Sequence, residues 1–368
     1  MTLDDVATPC LVLDRGVLRR NLARMAEAVA RHPGLVLRPH LKTAKCVEAA
    51  ALAAPGGAPI TVSTLAEARH FAAAGWRDQI YAVGITPQKL DAIAALNAAG
   101  AAVKVITDDP EVARAIAAHP GPLSALIELD VGEGRAGLVP DDPLLAEVAA
   151  TLGPRLAGLL SHSGHSYRGR SVAEMAEIAE TERQALLAAA ARLRAAGHAL
   201  PILSAGASPT ALHARTWEGI TELRAGVYML GDLFQAQLGT HGEADIAVTV
   251  LASVIGRSAA RGTLLLDAGA LALSKDRSTE AAPRDDGFGR VLDRDGRPSL
   301  GDAIVARVHQ EHGEVRARTG APLPMLPIGT RVRILPNHSC LTAAAHPRYE
   351  VVEGGAEILE RWERVNFW

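Results

Sequence analysis

Pro59-Ile-Thr-Val-Ser63, Thr64-Leu-Ala-Glu-Ala-Arg-His-Phe-Ala-Ala-Ala74, Gly75 and then Ile80-Tyr-Ala-Val-Gly84 follow one another along the chain. The outer pieces are short apolar runs of strand length. The middle piece has helical periodicity, opened by a Thr cap and closed by a glycine. The pattern is strand, helix, strand, and it extends in both directions. Eight apolar runs can be counted: 35–39, 59–63, 80–84, 102–107, 123–130, 156–161, 200–204 and 220–225. Helical stretches separate them, the longest being 172–196, ended by Gly197. Strict β/α alternation implies a parallel sheet, and eight units imply closure into a (β/α)8 barrel. An open doubly wound sheet is the alternative, because periodicity does not report closure.

After about residue 246 the rhythm changes. Runs at 246–255, 262–267, 303–309, 331–335 and 348–352 read as strands of a mainly antiparallel β-domain, with no convincing helices between them. Residues 275–300, rich in Gly, Asp, Arg and Pro, read as a long exposed loop. The expected domains are a barrel over 14–245 and a β-domain over 246–368.

Hydrophobic residues make up 48% of the 368, enough for a large core. Thirty-eight basic and 41 acidic residues are mixed along the length, for a net charge of −3. No basic tract offers a surface for nucleic acid, and no apolar stretch reaches membrane-spanning length. Met1 is followed by Thr-Leu-Asp-Asp, unlike a secretory signal, and three cysteines form no disulfide framework. The expectation is a soluble cytoplasmic protein.

Chemistry in a barrel collects at the carboxyl ends of its strands. There the chain places Arg38-Pro-His-Leu-Lys-Thr-Ala-Lys45, Asp130-Val-Gly-Glu-Gly-Arg135-Ala-Gly137, His162-Ser-Gly-His-Ser-Tyr167, Ser204-Ala-Gly-Ala-Ser-Pro-Thr210 and Arg224-Ala-Gly-Val-Tyr228. In the last two loops, Gly206, Ala207 and Ser208, and then Gly226 and Val227, can offer backbone N–H groups to a phosphate. Ser208, Thr210 and Tyr228 add hydroxyls. Lys42 and Lys45 both lie near the first strand end, where neighbouring cations favour the neutral amine that a Schiff base requires. Gly132-Glu-Gly-Arg-Ala-Gly137 matches a dinucleotide-binding pattern, but Leu-Val-Pro140 follows at once and argues against the helix that pattern needs. Pro336-Asn-His338-Ser-Cys340, read as a strand, puts an imidazole and a thiolate on one side, as a pair of zinc ligands. Gln310-Glu-His312 could support them. A hydrogen-bonded histidine beside a buried cysteine is the structural alternative.

Taken together, these motifs resemble the fold-type III pyridoxal-phosphate enzymes, in the branch of D-serine dehydratase, D-threo-3-hydroxyaspartate dehydratase and D-threonine aldolase. The resemblance runs from Thr8-Pro-Cys-Leu-Val-Leu-Asp14 to Trp368 and rests also on Ser63-Thr-Leu-Ala-Glu-Ala-Arg69. It implies an alanine racemase-like barrel, with residues 1–13 adding a strand to the β-domain. It assigns the cofactor lysine to Lys42 over Lys45 and places His40, Arg135, His162 and Tyr167 at the cofactor. Phosphate would lie on Gly206–Thr210 and Gly226–Tyr228, and Arg224 near the pyridine nitrogen. Active-site roles fall to Lys42, His162 and Tyr167. His338 and Cys340 would hold a divalent metal, zinc in the dehydratases, whereas the aldolases carry His-x-Asp with a harder ion such as manganese. The implied reaction is dehydration of a β-hydroxy-D-amino acid to a 2-oxo acid and ammonia by a homodimer. The rivals are retro-aldol cleavage to glycine and an aldehyde, racemisation, and a non-catalytic cofactor carrier. Arg168 and Arg170 are weak pointers to an acidic substrate.

Overall fold

The computed structural model describes residues 1–169 and 171–368, so Arg170 lies outside the described residues. The chain divides into two compact units, 24–226 with 367–368, and 1–23 with 227–366. The first strand, β1 (Cys10–Asp14), belongs to the latter.

The unit around 24–226 is a ring of eight parallel strands: β2 (Val36–Pro39), β3 (Ile60–Val62), β4 (Asp78–Gly84), β5 (Ala102–Thr107), β6 (Ser124–Leu129), β7 (Leu156–Ser161), β8 (Ile202–Ala205) and β9 (Glu222–Ala225). Their order is β2-β9-β8-β7-β6-β5-β4-β3. A bridge between His40 and Thr61, with Leu41 N–H donating to Thr61 O at 2.9 Å, brings the two ends together. This contact excludes the open sheet. Each expected run overlaps one strand, because a strand covered on both faces must be apolar nearly throughout.

Ile80, Ile106, Leu126 and Leu160 form a buried cluster, with Ala82, Ala157 and Ile202 packed against it. Arg38 and Arg224 are register partners across β2 and β9, so their side chains leave the sheet on the same side. They then diverge. Arg38 binds Glu222 and, at 2.9 Å, Asp78, which opens β4 and also receives Lys104 Nζ at 2.7 Å. Arg224 reaches the other way, to Ser161 O at the end of β7. Neighbouring strands crowd Gly158 of β7: a Cβ there would sit 1.9 Å from Ile202 O, at φ +152°.

The other unit is built from both chain ends. Its later strands are β10 (Val248–Ser258), β11 (Thr263–Leu266), β12 (Arg290–Asp293), β13 (Ala303–Val308), β14 (Gly313–Ala317), β15 (Arg331–Leu335), β16 (Arg348–Val352) and β17 (Glu360–Glu363). Six of them, in the order β10-β11-β14-β13-β12-β15, close on themselves through the β10–β11 pairing. β1 runs antiparallel to β10 and parallel to β16.

Residues 275–300 are not simply an exposed loop: they contain β12, paired to β15, and Thr279 and Asp286 are fully buried. Turn-forming composition does not show that Asp286 N–H bonds Thr279 Oγ1, or that Thr279 in turn donates to Asn337 Oδ1. Strands β14 and β17 had no counterpart in the reading. Short helices Ala270–Leu273 and Ser339–Ala344 interrupt what was read as all strand.

Candidate active site

At the end of β2 the chain turns through His40 to Lys45. Burial, with the positive charges of Lys42 and Arg224 and the nearby His162, holds the His40 imidazole well below its ordinary pKa. Lys42 is exposed and close enough to act on both His40 and His162 electrostatically. Lys45 is differently placed. Its Nζ pairs with Glu67 Oε1 at 3.1 Å, and Glu67 is fully buried, accepting also from Ser63 N–H and Thr64 Oγ1. The two lysines that sequence chemistry left as competitors are thus distinguished by one buried carboxylate.

After β6, Asp130 accepts from the N–H groups of Gly132 and Gly134 at 2.9 and 3.1 Å, curling the segment around its carboxylate. The next helix begins only at Leu144, so the glycine pattern does not open a helix. Arg135 stays exposed, 3.9 Å from Glu128.

After β7, burial and the charges of Lys42, Arg224 and Arg135 push His162 down to about 3. Its Nδ1 lies 3.2 Å from Gly206 O, and since a carbonyl only accepts, the proton sits on Nδ1. A neutral imidazole therefore presents a bare Nε2. The rings of His162 and Tyr167 are 6.5 Å apart.

The loop after β8 turns at Gly206, whose φ is +113° and whose missing Cβ would lie 3.0 Å from Arg224 O. A Cβ on Gly226 would lie 2.8 Å from His40 O. Only glycine lets these strand ends approach so closely. Ser208 and Thr210 are fully buried. The Thr210 hydroxyl accepts from Ala207 N–H at 3.0 Å and lies 3.1 Å from Ser163 Oγ, so it shapes the loop from within. Arg224, almost wholly buried, donates to Ser204 Oγ at 2.6 Å, and burial pulls its pKa down to about 10. Tyr228 is buried, which pushes its phenol up.

In the unit containing β10–β17, His338 and Cys340 do not lie on a strand. His338 is the N-cap of helix Ser339–Ala344 and Cys340 its second residue. The two still meet, because the N-cap residue His338 keeps an extended backbone, with φ −138°, and its side chain can turn back over the first helical turn: their side chains are hydrogen-bonded. Asp232 accepts from Ser339 N–H at 3.1 Å and from Gln235 N–H at 2.8 Å, fixing this turn. Asp276, from the expected loop, lies 3.6 Å from His338 Nδ1. Burial disfavours charge on His338, yet Asp276, Cys340 and Asp232 together push it up to about 11. Among the described residues no three His, Cys, Asp or Glu side chains form a metal-binding group. Gln310–His312 form an exposed turn between β13 and β14. Motif reading missed Asp232, Asp276 and the buried Glu182.

Residues 13–233 match the family model described as alanine racemase, N-terminal domain, and 247–352 that of a putative serine dehydratase domain. A D-threo-3-hydroxyaspartate dehydratase from Delftia sp. is 41% identical, over 100% of this chain and 99% of that protein. Its solved structure superimposes with a TM-score of 0.95 and full coverage of both chains. A D-threonine aldolase from Arthrobacter sp. is 32% identical over 97% of this chain and 92% of its own. Alanine racemase from Clostridium difficile, at 13% identity and a TM-score of 0.67, shares the fold. The chain belongs to the fold-type III pyridoxal-phosphate family of D-amino-acid dehydratases and aldolases, as a lyase with an alanine racemase-like barrel.

Proposed function

We propose that the protein dehydrates a β-hydroxy-D-amino acid of the 3-hydroxy-D-aspartate or D-serine type, releasing a 2-oxo acid and ammonia. The observation that carries this reading is the contact between His338 and Cys340 beside Asp276. A nitrogen and a sulfur donor favour a borderline-soft ion such as zinc over manganese, and Asp276 at 3.6 Å from Nδ1 would orient the imidazole. Solved variants of a D-threo-3-hydroxyaspartate dehydratase alter a histidine and, two residues on, a cysteine, the latter in metal-free form.

The barrel residues fit pyridoxal phosphate by their chemistry. Lys42, Arg135 and Arg224 concentrate positive charge, while His40 and His162 are held neutral, so a dianionic phosphate and a phenolate are matched without excess repulsion. Residues 206–208 and 226–228 would hold the phosphate. Lys42 would hold the aldehyde carbon, since Lys45 is committed to Glu67. The cofactor, when bound, supplies electron withdrawal from the substrate's α-carbon. Arg224 would face the pyridine nitrogen, with His40 and His162 at the ring. Lys42 Nζ takes the α-proton, and Tyr167 lines the same end of the barrel. His338 and Cys340 would hold the metal, whose Lewis acidity serves a poor leaving group, hydroxide. Loss of the α-proton and the β-hydroxyl is loss of water; the resulting enamine takes up one water to yield oxo acid and ammonia. The protein would act as a cytoplasmic homodimer. No helix among the described residues is long and apolar enough to cross a membrane.

Retro-aldol cleavage is the second reading, favoured by the aldolase relative at 32% identity. The test supplies D-threo-3-hydroxyaspartate, D-serine and D-threonine to the holoenzyme and assays all four products. Oxo acid with equal ammonia supports dehydration; glycine with aldehyde overturns it.

A further inference from the structure

Glu182 lies midway along helix Val172–Ala195 and is fully buried. Three donors converge on its two oxygens. Ser161 Oγ and Gly206 N–H reach Oε1 at 2.7 and 3.0 Å, and Ser163 Oγ reaches Oε2 at 2.8 Å. A buried charge is tolerated only when so satisfied, and removing such an acceptor strands the donors.

The three partners lead to three parts of the candidate site. Ser161 O accepts from the Arg224 guanidinium, while its hydroxyl is held by Glu182. Ser163 follows His162 directly, and its hydroxyl proton is committed to Glu182. Between Ser163 and Thr210, 3.1 Å apart, Ser163 can then only accept, and the single Thr210 proton faces both Ser163 Oγ and Ala207 O, the latter at 3.2 Å. Thr210 in turn accepts from Ala207 N–H, fixing the turn after Gly206. Gly206 itself is held at both ends, its N–H by Glu182 and its O by His162.

We infer that Glu182 is a positioning residue. This single carboxylate, on a surface-side helix, sets the hydrogen-bond direction through Ser163 and Thr210 and holds Arg224 and the residue 206–210 loop in the form that receives the cofactor. The inference rests on the reading that this loop takes the cofactor phosphate. It also alters the sequence expectation for this loop: the Thr210 hydroxyl and the N–H groups of Gly206 and Ala207 are engaged within the protein, so the phosphate would meet the loop at Ser208 and at residues 226–228.

A glutamine is nearly isosteric but presents one acceptor and a pair of donors. Glu182→Gln would therefore set its amide against the Ser163 hydroxyl and reverse the chain through Thr210. Charge-assisted hydrogen bonds of this kind are worth enough that cofactor affinity should fall about tenfold.

The experiment titrates the purified, folded cofactor-free protein with pyridoxal phosphate and reads the visible absorbance, for wild type, Glu182→Gln, Ser163→Ala and the double variant. The expected result is a dissociation constant raised about tenfold by Glu182→Gln and about threefold by Ser163→Ala, with the double variant no weaker than Glu182→Gln alone. A general loss of packing would give multiplying effects, and that outcome, or a Glu182→Gln constant within twofold of wild type, overturns the inference. Should Glu182→Gln fail to fold, an unchanged constant for Ser163→Ala overturns it alone. A wild type that shows no saturable absorbance sinks the reading of the loop as a cofactor site, which is a different failure.

Discussion

Two regions treat the same side chain in opposite ways. At the barrel strand ends His40 and His162 are held neutral, whereas in the unit of β10–β17 His338 is pushed toward its charged form. Burial works against the charge in all three. The neighbours decide: Lys42 and Arg224 act on both barrel histidines and Arg135 on His162 as well, while Asp276, Cys340 and Asp232 face His338. Local charge thus differs in sign between the two regions, in keeping with the proposed anion at the barrel end and the proposed cation at the His338–Cys340 turn. A histidine's role follows from its surroundings rather than from its presence in a motif.

The comparison is broken most severely through the lysines. Lys42→Ala should lower turnover by ~10³-fold or more, since the proposed covalent attachment and α-proton transfer both depend on it. Lys45→Ala should retain the cofactor's visible absorbance and instead lose about 3 kcal/mol in denaturant unfolding, because it strands the buried Glu67 carboxylate. If Lys45→Ala were the variant that lost the absorbance, the assignment would be reversed.

Next in size, His338→Ala should reduce dehydration by roughly 100-fold while leaving cofactor affinity near that of wild type. Equal loss of both would mean that the two regions do not have separate duties. Gly158→Ala sharpens the comparison from the structural side: with a Cβ forced against Ile202 O, thermal and denaturant unfolding should show a loss of about 3 kcal/mol in the barrel. Retained stability would contradict the close approach of β7 and β8.

The last prediction concerns acid. His162 binds its proton at about 3 in the folded protein against an ordinary 6.5. Between those values the unfolded chain takes up the proton and the folded chain does not, so stability falls as pH drops from 6.5 toward 3. Melting of the cofactor-free protein should therefore depend less steeply on pH in His162→Asn across that window. An unaltered slope would mean that His162 is not held neutral.

Much of the barrel could be read from the sequence because its strands are covered on both faces and stand out as apolar runs between helices. The other unit was harder. In residues 275–300, β12 and the buried Asp286 are stabilised by hydrogen bonds that turn-rich composition does not display. The spacing of His338 and Cys340 was informative although the strand geometry inferred from it was not, since a helix N-terminus brings the same two residues together. Asp276 contributes through the tertiary fold and has no sequence signal near that pair. Glu182 was legible in principle: Met175, Ala179, Glu182, Leu186, Ala189 and Leu193 form the buried stripe of one helix, and one of them carries charge.

The most direct test of separate anion and cation sites is bound metal and cofactor absorbance measured on the same samples, for wild type, chelator-treated wild type and Cys340→Ala. The account predicts that chelation and Cys340→Ala each remove the metal and leave the cofactor absorbance in place. Metal retained in Cys340→Ala, or metal and cofactor lost together, would contradict it.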